Sequence, residues 1–274
     1  MEIDYASHFS ALAHPQRLSV LRMLLRRYPD AVPAGEVAQA LNVKSNTLSA
    51  YLAALRAAGF VTQERDGTSL RYAASPAGLS ALFDGFLREC CQGRPDLCRG
   101  IGGDLQTKKG TDMPFRVLFL CTGNSARSIF AECLLRAIGG DRFEVHSAGT
   151  RPASQLNPLA VRMLAEKGHE TDGLRAKHMS EYQNDAKAGF DFVFTVCDRA
   201  ANEECPAWPG QPISGHWSTP DPVAVHGTEA ERMLAFQTAY GMLQNRISAF
   251  VSLPLETLDN LALQHAVDDI ARKD

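Results

Sequence analysis

The sequence predicts two domains of different fold class: a mainly helical N-terminal domain with a β-hairpin, and a C-terminal α/β domain with a small four-stranded parallel sheet. The chain has 274 residues, enough for two hydrophobic cores. Helical periodicity dominates residues 1–98, whereas short apolar strands alternate with helices over residues 114–274. Residues 99–113 between them contain four glycines and little apolar periodicity, which is typical of a linker.

The composition is that of an ordinary folded protein, with 45% apolar and 22% charged residues. The N-terminus has no basic stretch followed by an apolar core, and no apolar run reaches the length of a membrane span. We therefore expect a cytoplasmic protein without a membrane partner. The seven cysteines are then expected to be reduced, and their odd number favours thiol chemistry over a disulfide scaffold.

Charge is distributed unevenly along the chain. Residues 1–110 carry 13 Lys/Arg against 10 Asp/Glu, and residues 111–274 carry 15 against 21. A basic N-terminal part and an acidic remainder indicate two units with different partners. An imbalance of this size does not by itself establish nucleic-acid binding.

The N-terminal domain is predicted to consist of helices followed by a hairpin. Residues 8–27 place leucines on one helical face, with an interruption at Pro15. Two further helices are predicted over 34–43 and 44–60, with a tight turn between them. An Asp-Gly pair at 66–67, between two alternating segments, is a strong hairpin signal. This order describes a winged helix-turn-helix, which is a DNA-binding fold.

In such a fold the second helix of the turn motif enters the major groove with its N-terminal residues leading. Short polar side chains there can reach base edges, and arginines at the hairpin tip suit phosphate contacts. The alternative is that Ser45 only caps the helix and that the arginines are solvated. The candidate DNA-binding residues are Lys44, Ser45, Asn46, Thr47, Ser49, Tyr51, Arg65 and Arg71.

The segments "LAHPQRLSVLRMLL", "GEVAQALNVKSNTLSAYLAALRAAGFV" and "RDGTSLRY" resemble the ArsR/SmtB family of metal- and metalloid-sensing repressors. The resemblance covers residues 8–98. It implies a homodimer, formed through this domain, that binds operator DNA and leaves it when an inducer binds. A familiar inducer site of the family would need a cysteine in the helix "GEVAQALNV", and there is none.

Three cysteines, Cys90, Cys91 and Cys98, lie within nine residues in "ECCQGRPDLC". Taken alone they allow a disulfide, a metal site, a redox relay or three small buried side chains. Soft thiolates bind soft ions, and trivalent arsenic takes three sulfur ligands, whereas zinc normally needs a fourth ligand that is absent nearby. Gly93 and Pro95 would let the chain turn back toward the pair. Some arsenic-responsive repressors carry a similar trio, so the resemblance implies an arsenite site with arsenite as inducer.

The C-terminal domain alternates strands and helices. Strands are predicted at "FRVLFLC", "FEVHSAG", "FDFVFTVC" and "PISGHW". Helices are predicted at "SARSIFAECLLRAIG", "NPLAVRMLAEKG" and "TEAERMLAFQTAYGMLQNRISAFV". This alternation predicts a parallel sheet with helices on both faces.

The motif "CTGNSARS" joins the first of these strands to the first helix. Such a loop presents consecutive backbone N–H groups to a tetrahedral oxyanion. Its field is expected to lower the pKa of Cys121 and make it a nucleophile, while Arg127 grips two oxyanion oxygens. Gly123 and Asn124 tolerate unusual backbone angles, and Ser128 can hydrogen-bond the thiolate. The candidate oxyanion-binding residues are Thr122, Gly123, Asn124, Ser125, Ala126 and Ser128.

Two further segments bear on the chemistry. In "STPDP", Asp221 is a candidate general acid for a leaving oxygen, or simply a turn residue. In "TVCDRAANEECP", Cys197 follows a strand and Cys205 lies eight residues later. A simple phosphatase does not need these thiols, whereas a reductase that passes oxidising equivalents on from Cys121 does.

The motifs "CTGNSARS", "HSAGT", "VCDRAANEECP" and "HWSTPDP" resemble the low-molecular-weight tyrosine phosphatases, and more closely the arsenate reductases that share their fold. The resemblance covers about residues 115–250. It implies that Cys121 attacks arsenate held by Arg127, that Asp221 protonates the departing oxygen, and that Cys197 attacks Cys121 and releases arsenite. A Cys197–Cys205 disulfide would then go to an external thiol reductant, thioredoxin by the same resemblance.

The resemblance implies no tightly bound cofactor, but some relatives bind potassium. The matching residues are Asn124, Glu132 and Ser147, with Glu181 as a further candidate. Two positions depart from the family pattern. Ala126 replaces a common loop cysteine that the implied electron path does not use, and the spacing of Cys197 and Cys205 is slightly long, which leaves the reductant open.

Three functions compete on these observations. The leading one is an arsenite-responsive repressor fused to an arsenate reductase. The second is a low-molecular-weight phosphatase attached to a DNA-binding domain, against which the lack of an identifiable aromatic wall counts weakly. The third is a regulator whose C-terminal domain only binds an oxyanion, against which the complete set of Cys121, Arg127 and Asp221 counts.

Overall fold

The computed structural model describes residues 4–89, 113–183, 189–203, 208 and 212–272. The chain divides into two compact units, Met1–Gln106 and Thr107–Asp274. The predicted linker 99–113 lies outside the described residues except for Met113, so the predicted domain boundaries stay predictions. None of the described helices is long and apolar enough to cross a lipid bilayer.

The N-terminal unit has the winged helix-turn-helix fold that the sequence predicts. Its three-stranded antiparallel sheet has the strand order β1-β3-β2, and β2 and β3 form the hairpin. The break at Pro15 is present, because proline suits the first turn of a helix. The elements are α1 (Tyr5–Leu12), α2 (Pro15–Arg27), β1 (Val32–Pro33), α3 (Ala34–Ala40), α4 (Ser45–Ala57), β2 (Val61–Asp66), β3 (Ser69–Ala74) and α5 (Pro76–Glu89).

Leucines at helical spacing fix α4 on the core of this unit. Leu48, Leu52 and Leu55 are buried in one cluster with residues of α2 and β2. Burial of each such side chain contributes about 1.5–3 kcal/mol. Asn42, with φ of 51°, lies in the turn before α4, and Gly59, with φ of 73°, follows its end. The helix that carries the candidate DNA contacts is thereby held at both ends.

In this unit the alternative role given to Ser45 is wrong, and two elements were not predicted. Ser45 is the first residue of α4 rather than its cap; Lys44 holds the cap position, and no side chain makes the capping hydrogen bond. Helix α5 and the two-residue strand β1 were missed. Strand β1 is too short to show a pattern, and it exists only because it pairs with β3.

The C-terminal unit confirms the predicted parallel sheet. Its four strands are all parallel, in the order β5-β4-β6-β7. The strands are β4 (Phe115–Cys121), β5 (Phe143–Gly149), β6 (Phe192–Thr195) and β7 (Ile213–His216). The helices are α6 (Arg127–Gly139), α7 (Pro158–Glu166), α8 (Ser180–Gln183), α9 (Asp198–Asn202), α10 (Glu229–Val251) and α11 (Asn260–Arg272).

Aromatic rings fill the core around β4 and β6. Phe194 stacks on Trp217 with 4.0 Å between ring centroids, and it meets Phe250 of α10 edge-on at 5.2 Å. Phe119 of β4 stacks on Phe194 at 5.5 Å. Such ring pairs add about 0.5–1.5 kcal/mol each to the stabilisation from burial. This packing holds the carboxyl ends of the two central strands in place.

Helix α11 was not predicted. Its apolar residues Leu263, Val267 and Ile270 are buried, and the helix packs on β7. A side chain at Gly215 of β7 would come within 2.7 Å of Val267, so only glycine allows this approach. The helix therefore depends on a contact with a strand about fifty residues away, which local periodicity does not reveal.

Candidate active site

The "CTGNSARS" loop connects the carboxyl end of β4 to the amino end of α6. Cys121 is the last residue of β4 and Arg127 is the first residue of α6. Neighbouring strands end at the same edge of the sheet, at Gly149 and Thr195. The loop thus sits where parallel α/β sheets bring together groups from several strands.

The carbonyl groups of the loop are turned toward the segment 150–157. Four loop carbonyls accept hydrogen bonds of 2.9–3.1 Å from backbone N–H groups of this segment. The pairs, carbonyl first, are Cys121 with Thr150, Thr122 with Arg151, Gly123 with Ala153, and Ser125 with Asn157. Carbonyls that are bound in this way do not compete for the space of an oxyanion in the cavity. This is the arrangement that an oxyanion needs.

Asn124 supplies the unusual backbone angle of the loop. Its φ is 45°, whereas Gly123 does not have a positive φ. Of the two residues predicted to adopt unusual backbone angles, Asn124 is therefore the one in the left-handed region. A glycine is instead required at position 149, where a Cβ would lie 2.6 Å from the Thr122 carbonyl oxygen and 3.1 Å from Asn124 Cβ. This close approach explains the glycine of "HSAGT".

The thiol of Cys121 is buried and receives two hydrogen bonds. The backbone N–H of Asn124 donates to Sγ at 3.1 Å, and Ser128 Oγ lies 2.9 Å from Sγ. Ser128 Oγ accepts a hydrogen bond from Asn124 Nδ2 at 2.9 Å, so its own hydrogen is available to the sulfur. The contact predicted for Ser128 is present.

Burial raises the pKa of the Cys121 thiol, and the negative charge of a Cys197 thiolate raises it further. The hydrogen bond from Ser128 and the charge of Arg127 act in the opposite direction. The net direction is opposite to the one predicted, because the Cys121 thiol is buried at the bottom of the site and the cost of desolvation is the largest contribution to its pKa. The loop donors offset part of this cost of desolvation.

Arg127 and Asp221 meet across the mouth of the site. Arg127 Nη2 lies 3.0 Å from Asp221 Oδ2, and Arg127 Nη1 donates to the Thr219 carbonyl at 3.0 Å. Asp221 Oδ1 also accepts from the Val223 N–H at 3.1 Å, so this residue both caps a turn and faces the cavity. The two side chains predicted for oxyanion binding and proton donation are therefore adjacent.

Cys197 lies beside the loop, just beyond the end of β6. Its Sγ is 3.5 Å from Thr122 Oγ1 and accepts from the Ala200 N–H at 3.4 Å, at the start of α9. The thiol is 1% exposed. Cys205 lies outside the described residues. The structure thus places Cys197 at the oxyanion loop, and the role of Cys205 stays a prediction.

A cavity of about 600 Å³ opens above the loop. It includes residues that the sequence did not single out, chiefly Asp198, Arg199 and Ser218. Asp198 is held by His216 Nε2 at 3.1 Å and by the Ser218 hydroxyl at 2.7 Å. The only sequence signal for Asp198 and Arg199 is that they directly follow Cys197. Within the described part of the chain, no aromatic side chain lines this cavity.

The three residues matched to a potassium site are brought together behind the loop. Asn124 Nδ2 donates to Ser147 Oγ at 2.8 Å, and the Ser147 hydroxyl donates to Glu132. All three are buried. Glu181 is not part of this group, because its carboxylate makes two hydrogen bonds to Arg175. A residue that the sequence did not single out, Lys177, lies against Glu132 instead.

The candidate DNA-binding residues of α4 fall into two groups. Residues 44–47 are exposed around the first turn of the helix. Ser49 donates to the Ser45 carbonyl at 2.9 Å, and Tyr51 donates to Gln16 and packs against His14 at 4.9 Å between ring centroids. Tyr51 is thus engaged with the neighbouring helix.

The two hairpin arginines also differ. Arg65 is exposed, whereas Arg71 pairs with Asp66 at 2.9 Å and donates to the Ala31 carbonyl at 3.1 Å. Contacts of any of these residues with DNA stay predictions. Cys90, Cys91 and Cys98 lie outside the described residues.

Fold and site together define an α/β enzyme class with a cysteine nucleophile at an oxyanion loop, here joined to a helix-turn-helix unit. The family model for low molecular weight phosphotyrosine protein phosphatase matches residues 116–260, more than half of the chain, and the chain belongs to this family. A helix-turn-helix domain model matches residues 12–64.

Within this family the chain is similar to proteins named arsenate reductase, which confirms the predicted resemblance. The one from Bacillus subtilis (strain 168) is 37% identical over 135 residues, which is 49% of this chain and 93% of the relative. A glutaredoxin arsenate reductase from Synechocystis sp. is 26% identical over 137 residues, 50% of this chain and 96% of that one. A crystal structure of arsenate reductase from Archaeoglobus fulgidus is 25% identical, with a TM-score of 0.40, and covers 50% of this chain and 99% of its own.

Proposed function

We propose that the C-terminal unit reduces arsenate to arsenite and that the N-terminal unit is an arsenite-responsive repressor. One observation carries the enzymatic part: a second buried thiol, Cys197, lies 3.5 Å from Thr122 of the loop that begins with Cys121. Hydrolysis of a phosphate ester has no use for a thiol at this position. Reduction of a thiol-bound oxyanion requires one.

The first step is attack on arsenate. The Cys121 thiolate forms a sulfur–arsenic bond as the bond between arsenic and one hydroxyl group of arsenate breaks, and that hydroxyl takes a proton from Asp221 and leaves as water. Arg127 and the loop N–H groups hold the remaining oxygens. Asp221 fits this role because it faces the cavity beside Arg127.

The second step transfers electrons. The Cys197 thiolate attacks Cys121 Sγ; a disulfide forms, the sulfur–arsenic bond breaks, and its electron pair goes to arsenic, which leaves as arsenite. The Cys205 thiolate then attacks Cys197 Sγ and releases the Cys121 thiolate. One disulfide forms for each arsenate reduced, and an external dithiol supplies the two electrons that reopen it.

The external reductant is proposed only as a thiol protein. The sequence resemblance favours thioredoxin, while the relative from Synechocystis carries glutaredoxin in its name. Turnover with each of the two, at equal reducing power, decides between them.

The test of the relay is the variant Cys197→Ser, with Cys133→Ala as the matched control, since Cys133 is a buried cysteine of α6 outside the cavity. We expect Cys197→Ser to bind arsenate but to lose multiple-turnover reduction, and Cys133→Ala to retain it. Continued turnover of Cys197→Ser with thioredoxin or glutaredoxin would show that the relay is wrong.

The phosphatase alternative has support from the family model itself. It predicts fast hydrolysis of aryl phosphates that does not depend on Cys197 or Cys205. The absence of an aromatic side chain among the described cavity residues weighs against an aryl substrate. Parallel assays with arsenate and an aryl phosphate therefore separate the two enzymes.

The repressor part rests on the fold and on the cysteine trio. A dimer formed through the N-terminal unit would bind operator DNA, and arsenite held by Cys90, Cys91 and Cys98 would release it. Titration of an operator complex with arsenite, for the natural chain and for Cys90→Ser, tests this. Operator DNA that stays bound at saturating arsenite would rule out the sensor while leaving the enzyme proposal intact.

A further inference from the structure

A buried charged cluster lies directly behind the oxyanion loop. Glu132 of α6 is 2% exposed, and its carboxylate accepts a hydrogen bond from the Ser147 hydroxyl. Lys177 Nζ lies 3.4 Å from Glu132 Oε2, and the lysine side chain is 9% exposed. Arg136 Nη2 lies 2.5 Å from the other carboxylate oxygen, but its side chain is half exposed. A buried carboxylate is thus neutralised from inside the protein by one ammonium group.

The same cluster is continuous with the reacting thiol. The backbone N–H of Lys177 donates to Asn124 Oδ1 at 2.7 Å. Asn124 Nδ2 donates both to Ser147 and to Ser128, and Ser128 contacts Cys121 Sγ. Asn124 is also the residue in the left-handed conformation whose N–H donates to the sulfur. The lysine therefore touches the residue that shapes the loop.

The residues present do not fit the potassium ion that the family resemblance implies. Glu132, the only carboxylate of the three matched residues, already has a cation on each oxygen. Asn124 Oδ1, the neutral oxygen best suited to a cation, accepts from the Lys177 backbone. Glu181, the further candidate, is turned to Arg175. Potassium binding at Glu132 Oε2 would require the Lys177 ammonium to leave its buried position and break this ion pair.

We propose that Lys177 is a built-in cation that positions the Cys121 loop and makes this enzyme independent of alkali-metal ions. The Lys177 ammonium neutralises Glu132, which accepts a hydrogen bond from Ser147. Ser147 in turn accepts a hydrogen bond from Asn124. Asn124 positions both groups that contact Cys121 Sγ, its own backbone N–H and the Ser128 hydroxyl. Lys177 is a positioning residue: it acts through Asn124 and does not touch the oxyanion. This inference deepens the proposed function, but it concerns the reactivity of Cys121 and holds for any substrate of this loop.

The first test uses the natural protein and needs no variant. The rate of Cys121 alkylation by iodoacetamide, followed by mass spectrometry, and kcat/KM for arsenate are measured in potassium, sodium and choline chloride at equal ionic strength. We expect the three salts to agree within about twofold. A several-fold activation by potassium over choline overturns the proposal.

The second test compares Lys177→Ala with Arg136→Ala, which removes the exposed cation from the same carboxylate. Loss of a residue that supports a metal ligand typically costs about 10- to 100-fold in activity, and we expect a loss of the same order for Lys177→Ala in both alkylation and kcat. Arg136→Ala should lose less, because water can replace an exposed guanidinium.

Rescue separates positioning from a general structural defect. Methylammonium or potassium chloride should restore part of the Cys121 alkylation rate of Lys177→Ala, and choline, which is too large for the space left by the side chain, should not. Equal alkylation rates for Lys177→Ala and the natural protein overturn the proposal, as does a loss that neither cation restores in a folded variant. Failure of arsenate turnover alone, with these alkylation results intact, would count against the proposed function instead.

Discussion

The hydrogen bond between Ser128 and Cys121 offers a direct measure of how much the loop activates its thiol. Ser128→Ala removes the hydroxyl 2.9 Å from Cys121 Sγ. Asn124 Nδ2, which donates to that hydroxyl, keeps Ser147 Oγ as an acceptor at 2.8 Å. The variant thus removes one donor to the sulfur without leaving the neighbouring amide unpaired.

The size of the effect follows from the charge of the thiolate. A hydrogen bond to a charged group contributes about 1.5–3 kcal/mol, and about 1.4 kcal/mol corresponds to a factor of ten. Because the Ser128 hydrogen bond lowers the pKa of Cys121, its removal should raise that pKa further above the ordinary value. At any pH below the pKa, the thiolate fraction and the alkylation rate should fall about 10- to 100-fold.

The assay is the rate of Cys121 alkylation as a function of pH. The curve for Ser128→Ala should move to higher pH, and Ser128→Thr, which keeps a hydroxyl, should move it less. Ser252→Ala is the control, because Ser252 is an exposed serine whose hydroxyl donates to the Ser248 carbonyl of its own helix at 2.8 Å. If the curves of Ser128→Ala and the natural protein coincide, the hydroxyl does not stabilise the thiolate and the reasoning from this contact is wrong.

Three further variants test other parts of the chain. Gly149→Ala should lower the free energy of unfolding by about 1–3 kcal/mol, because its Cβ would lie 2.6 Å from the Thr122 carbonyl oxygen. Denaturant titration measures this change, and an unchanged midpoint would mean that the loop moves aside at no cost. Arg127→Lys should weaken oxyanion binding about tenfold or more, since a lysine cannot make the two-pronged contact of the guanidinium; a calorimetric titration with arsenate that gives an equal Kd contradicts this. Arg65→Ala should reduce the slope of log affinity for operator DNA against log salt concentration by about one. Arg71→Ala should reduce this slope less, because Arg71 is already paired with Asp66 within the hairpin. Equal slopes for the two variants would refute this difference between the two arginines.

Local patterns were sufficient to predict the fold and the reactive loop. The motif around Cys121 combines a buried strand, a loop of fixed length and a helix start, all within neighbouring residues, so the sequence alone places it. The strands β4 and β5 have the predicted bounds because they pair along their full length. The hairpin is present where the Asp-Gly pair predicts it.

Features that depend on distant contacts could not be predicted in the same way. Lys177 meets Glu132 across 45 positions of sequence, and Arg127 meets Thr219 across 92. The direction predicted for the pKa shift of Cys121 was wrong for the same reason, because its burial arises from the packing of several elements and not from the loop itself. The cavity residues Asp198 and Arg199 follow a predicted cysteine, but nothing in their spacing marks them as lining a site.

The backbone clamp between the loop and residues 150–157 has a consequence for selectivity. Because four loop carbonyls are hydrogen-bonded to an adjoining segment, the backbone of the loop is held in place by the protein itself and not by a bound anion. A preset cradle recognises a tetrahedral oxyanion by shape and charge, and phosphate has nearly the same shape and charge as arsenate. We therefore expect phosphate to occupy the same cradle. In the proposed mechanism, discrimination then falls to the step after binding, where arsenic can accept an electron pair from sulfur and phosphorus cannot. Selectivity for arsenate over phosphate in such a site comes from redox chemistry and not from the shape of the binding loop.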